Sequence, residues 1–207
     1  MYRHHPRYDA VRQLIAAGEI GELRGIRGAF TFNNSKAPSN VRFHQWMGGG
    51  SIYDVGCYPI SAARLITGKE PEAVTVQAFF SSEHDHVDMM ASGLIEFPGQ
   101  VGLTFDCGMW AAGRNVLEIL GTDGRIELPS AFVTPPAGST SYILHARGES
   151  REFKEEALNQ YSCQADDFAR SVFGEADQKF VPDDAVRNMK VIDACLLSAR
   201  EHIRVTL

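Results

Sequence analysis

The sequence predicts an α+β fold, a large open, mostly antiparallel sheet with helices on one face. Three observations predict it. Up to residue 66, apolar residues recur at helical spacing in two stretches, with one strand-like run between them. From residue 73 to 127 the apolar period changes to two, and Pro98-Gly99 and Gly121-Thr122-Asp123-Gly124 supply turn signals between the runs. Helical spacing then returns from Tyr161 onward. Strands grouped together, with helices before and after them, are the pattern of an α+β fold.

Each element has its own signal. Pro6 to Gly18 is a helix: Val11, Leu14 and Ile15 share a face, Asp9 lies near the start and Gly18 closes it. Glu22 to Asn33 alternates with aromatic and β-branched content and reads as a strand. Asn33 to Gly50 is polar and irregular around Pro38, a long loop of the kind usually tied to function. Ser51 to Ile66 is a helix closed by Gly68 and kinked at Pro59, which lacks a backbone donor. Strands follow at about residues 73–82, 87–97, 100–109, 114–120 and 125–128. Shorter ones fill 129–155, broken at Pro135-Pro136 and Gly138. Tyr161, Ala165, Phe168 and Val172 form an apolar stripe ending at Gly174. Pro182 and Asp183-Asp184 start a last helix whose core-facing seam is Ala185, Met189, Ile192, Leu196, Ala199 and Ile203. Helices on one side leave the other sheet face to a partner, since Ala78, Phe80, Leu94, Phe97, Leu103 and Phe105 are too many apolar side chains to leave wet.

Composition narrows the function. The 207 residues are 44% hydrophobic and 22% charged, ordinary for a globular protein of one large or two small domains. A net charge of −6 gives no pull toward nucleic acid or an anionic membrane. No apolar run approaches the ~20 residues that span a bilayer, and Met1 to Pro6 lacks the apolar stretch of a signal peptide. Cys57, Cys107, Cys163 and Cys195 form no CxxC pair, which points to reduced thiols in a cytoplasmic protein. Neither GxGxxG nor a P-loop lysine motif occurs, so the chain shows no phosphate cradle of its own.

The segment from Gly48 to Pro59 (GGGSIYDVGCYP) carries the chemistry. On a helix Asp54 and Tyr58, at i and i+4, share a face, and Gly56 between them leaves bare backbone that a flat ligand can approach. Ser51 to Asp54 also matches a capping box, so Asp54 either closes a helix start or orients a substrate hydroxyl, and the two roles are compatible. Tyr58 is either a packed aromatic or a general acid/base. A free phenol, with a pKa of ~10, holds its proton at neutral pH and can give it to a carbonyl oxygen. The reverse step needs a cation from outside this motif. Arg3, His4 and His5 form a basic cluster suited to an anion or hydroxyl contact, or simply a solvated chain start. Arg42, beside the glycines, is placed for substrate or phosphate. Trp46 stacks on a sugar or anchors its loop. Asn159 is an N-cap, and it or Tyr161 can face the cleft. His84 and His86 flank Asp85, but two ligands in a turn do not make a metal site.

These residues resemble a known family. MYRHHPRYDAVRQLIAAGEIGELRGIRGAFTF (1–32), NVRF (40–43), the Gly48–Pro59 segment, LEILGTDGRIEL (117–128) and NQYSCQADDFARSVFG (159–174) are similar to the C-terminal domain of the glucose–fructose oxidoreductase, inositol dehydrogenase and rhizopine-catabolism family (Gfo/Idh/MocA). The resemblance is nearest to its sugar-dehydrogenase and dihydrodiol-dehydrogenase subgroup. It covers nearly the whole chain and is most specific at Asp54-Val55-Gly56-Cys57-Tyr58. It implies the open sheet of dihydrodipicolinate-reductase-like or GAPDH-like C-terminal domains, which supplies substrate pocket and oligomer interface. It also implies an NAD- or NADP-binding Rossmann domain with a lysine in an E-K-P motif, neither of which this chain contains. Many members have histidine where Tyr58 stands; in the sugar-dehydrogenase subgroup a tyrosine there donates or accepts the proton.

The expectation is therefore a fragment, one substrate-binding and oligomerisation domain over 1–207 of a two-domain oxidoreductase, inactive alone. Tyr58 and Asp54 are its catalytic residues. Arg3, His5, Arg42, Trp46, Asn159 and Tyr161 bind a sugar- or polyol-like substrate, and Gly56 and Arg42 touch the cofactor. It forms a homodimer or tetramer through the open sheet face. The competing reading is a non-catalytic dimerisation module with a vestigial cleft; a metal-dependent hydrolase at His84 and His86 is a distant third.

Overall fold

In the computed structural model, which describes residues 1–36, 39–135, 139–156 and 158–207, the elements follow the expected order. Helix α1 is Arg7–Ala16 and strand β1 is Leu23–Asn33. The loop after β1 contains two 3-10 turns, Val41–Phe43 and Gln45–Met47. A π turn, Ile52–Gly56, leads into α2, Cys57–Thr67. Strands β2 (Ala73–Phe80), β3 (Asp88–Phe97), β4 (Val101–Gly108), β5 (Trp110–Gly121), β6 (Gly124–Pro129), β7 (Ser139–Ala146) and β8 (Glu149–Glu156) follow. Helices α3 (Gln160–Val172) and α4 (Pro182–Glu201) and a short strand β9 (Val205–Thr206) complete the described chain. Pro38, Pro136 and Gly138, read as loop breakers, lie outside the described residues.

The strands form a nine-stranded, mostly antiparallel sheet in the order β8-β7-β6-β5-β1-β4-β3-β2-β9. Strand β1 pairs with β4 in parallel. Two compact units are distinguished, Met1–Leu23 with Val116–Val186 and Arg24–Asn115 with Arg187–Leu207.

In the first unit, Tyr2, Tyr8 and Phe132 pack edge to face, with Tyr2 5.0 Å from Tyr8 and 5.6 Å from Phe132 between ring centroids. Such pairs add to the burial of their rings. Strands β7 and β8 form a hairpin whose turn residues, Arg147 and Gly148, both have positive φ. That is the backbone of a type I′ turn, whose twist matches that of the strands. Asn159 caps α3 by accepting from the Tyr161 and Ser162 amides. The stripe of α3 differs from a core seam: Tyr161, Phe168 and Val172 are exposed, and so is Phe173.

In the second unit, side chains alternate across the strands. Leu103, Phe105 and Cys107 of β4 and Ile95 of β3 are buried on the side of α2 and α4. The row Thr75, Leu94, Thr104 and Arg27, in register across four strands, faces outward. Phe79 is 68% exposed on that outer face, and its ring lies 5.8 Å from that of Trp110. On α4, Ile192, Leu196 and Ala199 are buried, whereas Ala185 and Met189 are exposed. Ile203 falls beyond the helix, because His202 takes positive φ and the chain turns to pair β9 with β2. The Ser51–Ile66 segment is not one kinked helix. The irregularity is the π turn, and Pro59 lies in the first turn of α2, where an intrahelical donor is not needed.

Candidate active site

The glycine run sets the site. Gly48 ends a 3-10 turn at φ +73°. A Cβ on Gly49 would lie 2.5 Å from the Arg42 carbonyl oxygen, so only glycine allows that approach. The Gly50 amide donates to the Arg42 carbonyl at 3.0 Å. Gly50 itself adopts φ +118°, and a Cβ there would come within 2.1 Å of Asp88 Oδ1. These contacts fold the Arg42 loop back on the start of the π turn. Across that junction Arg42 Nε donates to Asp54 Oδ2 at 2.7 Å. Arg42 Nη1 also donates to Asn40 Oδ1 at 3.3 Å, and its guanidinium lies 5.9 Å from the Phe32 ring centre.

Asp54 therefore does not close a capping box. Ser51 is helical and makes no side-chain cap; its hydroxyl donates to Asp88 Oδ2 at 2.7 Å instead. The Ile52 amide donates to the same oxygen at 2.7 Å. Asp88 takes the capping role from 36 residues away, which leaves Asp54 to pair with Arg42 at the half-exposed surface. Asp54 and Tyr58 span the junction of a π turn and an α-helix rather than lying on one α-helix. Such π turns recur at functional sites. Tyr58 is half-buried, its ring edge-on to Phe30 of β1 at 5.2 Å.

Gly56 does not offer backbone to a ligand. It is buried, and a Cβ there would meet Cys107 Sγ at 3.1 Å, so its missing side chain lets the turn pack on β4. Burial first, and then the Asp54 charge, push the Cys57 thiol up to about 12. Phe43, not Trp46, anchors the loop. Phe43 packs with Val87, Met89 and Met109, while Trp46 is 77% exposed. Both ring nitrogens of His84 are engaged, by Ser81 Oγ and the Ser35 carbonyl. Among the described residues no three His, Cys, Asp or Glu side chains converge as metal ligands would.

The remaining candidates belong to the first unit. Arg3 pairs with Asp184 and lies over the Phe180 ring at 3.9 Å. His4 Nδ1 lies 2.6 Å from Asp167 Oδ2. His5 is fully buried, its Nδ1 accepting from the Arg7 amide, and burial followed by the Arg7 charge hold it down at about 4. The expected basic cluster is thus a fastening of the chain start to α3 and α4: Arg3 is neutralised, and His5 is neutral and out of solvent. Asn159 and Tyr161 line a small recess of about 160 Å³ with Val133 and Gln160.

Asp88 is the residue that the sequence reading passed over. It is 2% exposed, and burial pushes its carboxyl up to about 6 against the hydrogen bonds from Ser51 and the Ile52 amide. Between its ordinary value near 4 and about 6, the folded chain binds more protons here than the unfolded one. The stability from this group is present below pH 4 and lost as pH rises through 6, on the order of 3 kcal/mol. His5 works the other way, its contribution being present above about 6.5 and lost as pH falls through 4. Urea unfolding of Asp88→Asn from pH 4 to 7 is expected to rise more steeply with pH than the unsubstituted chain. Parallel curves would contradict the assignment.

The sequence profile of the GFO/IDH/MocA C-terminal domain matches residues 8–127. The chain belongs to the GFO/IDH/MocA family. An uncharacterised oxidoreductase from Rhizobium meliloti is 33% identical to this GFO/IDH/MocA chain over 96% of it and 60% of the relative. A D-xylose 1-dehydrogenase (NADP(+)) from Haloferax volcanii is 29% identical over 100% of the chain and 63% of its own length. A 3-ketoreductase from Actinomadura kijaniata, solved with NADP and TDP-benzene, superposes with a TM-score of 0.87 at 25% identity, covering 95% of this chain and 60% of that one. The chain thus spans about 60% of the length of the curated relatives it matches. Gly56 faces Cys107, and Arg42 Nε is held by Asp54. No helix among the described residues is long and apolar enough to cross a membrane.

Proposed function

We propose that this chain is the substrate-binding half of an NAD(P)-dependent oxidoreductase acting on a sugar or polyol-like substrate, with Tyr58 exchanging a proton with the reacting oxygen. The carrying observation is the π turn at the head of α2. It holds Asp54 against Arg42 at 2.7 Å and leads directly into half-buried Tyr58. The names of the relatives, a xylose dehydrogenase and a keto-sugar reductase, support the substrate class. The nicotinamide supplies or takes the hydride, and it is bound by the part of the protein that lies outside this chain.

In the reducing direction Tyr58 Oη–H donates to the substrate carbonyl oxygen and leaves a hydroxyl; in the oxidising direction the phenolate takes that proton back. Asp54 and Arg42 orient substrate hydroxyls through a charge pair already fixed in place, so little ordering is left to binding. The complete enzyme is expected to oxidise aldoses, or reduce keto sugars, with NADP or NAD, and this chain alone to be inactive. Nicotinamide absorbance with a panel of aldoses tests this. Turnover by the isolated chain, or none by the complete enzyme, would contradict it.

The outer sheet face, with Phe79 beside Trp110, supports pairing of copies as a homodimer or tetramer. Light scattering is expected to give an oligomer that Phe79→Asp dissociates; a monomeric unsubstituted chain would refute it.

A further inference from the structure

We infer that Asp88 is a positioning residue, whose buried carboxylate fixes the π turn that carries Asp54 and leads into Tyr58. The inference rests, for its catalytic consequence, on the proposed role of Tyr58. The contacts are built from three directions. One oxygen, Oδ2, accepts from both Ser51 Oγ and the Ile52 amide, each at 2.7 Å. The other, Oδ1, occupies the space that a side chain at position 50 would take, 2.1 Å from where its Cβ would stand. Ser51 Oγ also lies 3.5 Å from the Cys107 carbonyl of β4, beside the Cys107 Sγ against which Gly56 packs. Asp88 is the first residue of β3, so the anchor sits on the sheet and not on the loop.

The chemistry suits a clamp. Oδ2 accepts two hydrogen bonds at 2.7 Å, which offset part of the cost of burying the carboxyl group and tie it to the turn. A buried acceptor also imposes a penalty on any arrangement that leaves the Ile52 amide unpaired. The π turn widens the backbone at the point where Asp54 reaches Arg42. A turn of that kind needs an external partner, since its first amides have none within the helix. Asp88 supplies that partner, and Asp54 is thereby released from capping to pair with Arg42.

Hydrogen exchange on the 207-residue chain tests the clamp directly. Asp88→Asn keeps the shape and loses the charge, while Asp88→Leu removes the acceptor. Amides of residues 52–58 are expected to exchange about tenfold faster in the Leu variant, and to change less in the Asn variant, whose amide oxygen still accepts. Those of β4 should stay slow. Equal acceleration everywhere, or none at 52–58, would overturn the inference. If neither variant folds, Ser51→Ala removes one of the two bonds and must give the same local pattern. In the complete enzyme, Asp88→Leu is expected to lower kcat about tenfold with KM within about twofold. In a Tyr58→Phe background it should add little, because its effect passes through Tyr58. Fully multiplying losses would overturn the positioning role. Should Tyr58→Phe alone leave kcat intact, the proton-transfer reading fails, and the exchange pattern still decides whether Asp88 holds the turn.

Discussion

Replacing Tyr58 by Phe in the complete enzyme is expected to lower kcat by about 10²–10⁴-fold, the usual weight of a positioned proton donor. Substrate affinity should change by no more than a few-fold, because the ring is retained. Its packing against Phe30, edge-on at 5.2 Å, does not depend on the hydroxyl. A fall in kcat and kcat/KM together, with KM nearly constant, marks an interaction made in the transition state rather than in binding. Steady-state kinetics with the preferred aldose or keto sugar measures it. Full kcat in the Phe variant would remove Tyr58 from the proton path and leave it as a packed aromatic.

The second large effect is on folding. Gly50→Ala is expected to destabilise the chain by about 3 kcal/mol or more, from a strained backbone and a clash that cannot be relieved cheaply. At φ +118° an L side chain is disfavoured, and its Cβ would lie 2.1 Å from a buried carboxylate oxygen. Gly48→Ala is the control. Gly48 also has positive φ, +73°, but a Cβ there would meet open space. Its cost is expected to stay near 1–2 kcal/mol, that of the left-handed conformation alone. Urea unfolding of both variants decides: equal losses would mean that the Asp88 contact contributes nothing.

Much of this was legible in the sequence because it follows from period and punctuation. The change to period two at residue 73, and turns at Pro98-Gly99 and Gly121–Gly124, are written into β2 to β6. Asn159 signals its cap by residue type alone. Other features depend on partners distant in sequence. Asp88 is one acid in a turn-to-strand sequence, and nothing local says that it caps a turn 36 residues earlier. For the same reason Ser51–Asp54 reads as a capping box, when its hydroxyl and its acid go to different partners, Asp88 and Arg42. Apolar periodicity marks a face without saying what covers it. The stripe Tyr161, Phe168 and Val172 is regular on α3 and yet exposed in this chain. Helical spacing also carried the α4 seam one step too far, to Ile203, where a left-handed His202 ends the run.

The central claim is that the turn from Gly50 to Tyr58 presents a proton to the reacting oxygen of a sugar. A crystal structure of the complete enzyme with its nicotinamide cofactor and a bound aldose tests it most directly. The account predicts that the reacting oxygen lies about 2.6–3.2 Å from Tyr58 Oη, within hydrogen-bond reach or bridged by a single water. Its remaining hydroxyls should contact Asp54 or Arg42. A sugar bound with its reacting oxygen turned away from Tyr58, toward another acid or base, would contradict it.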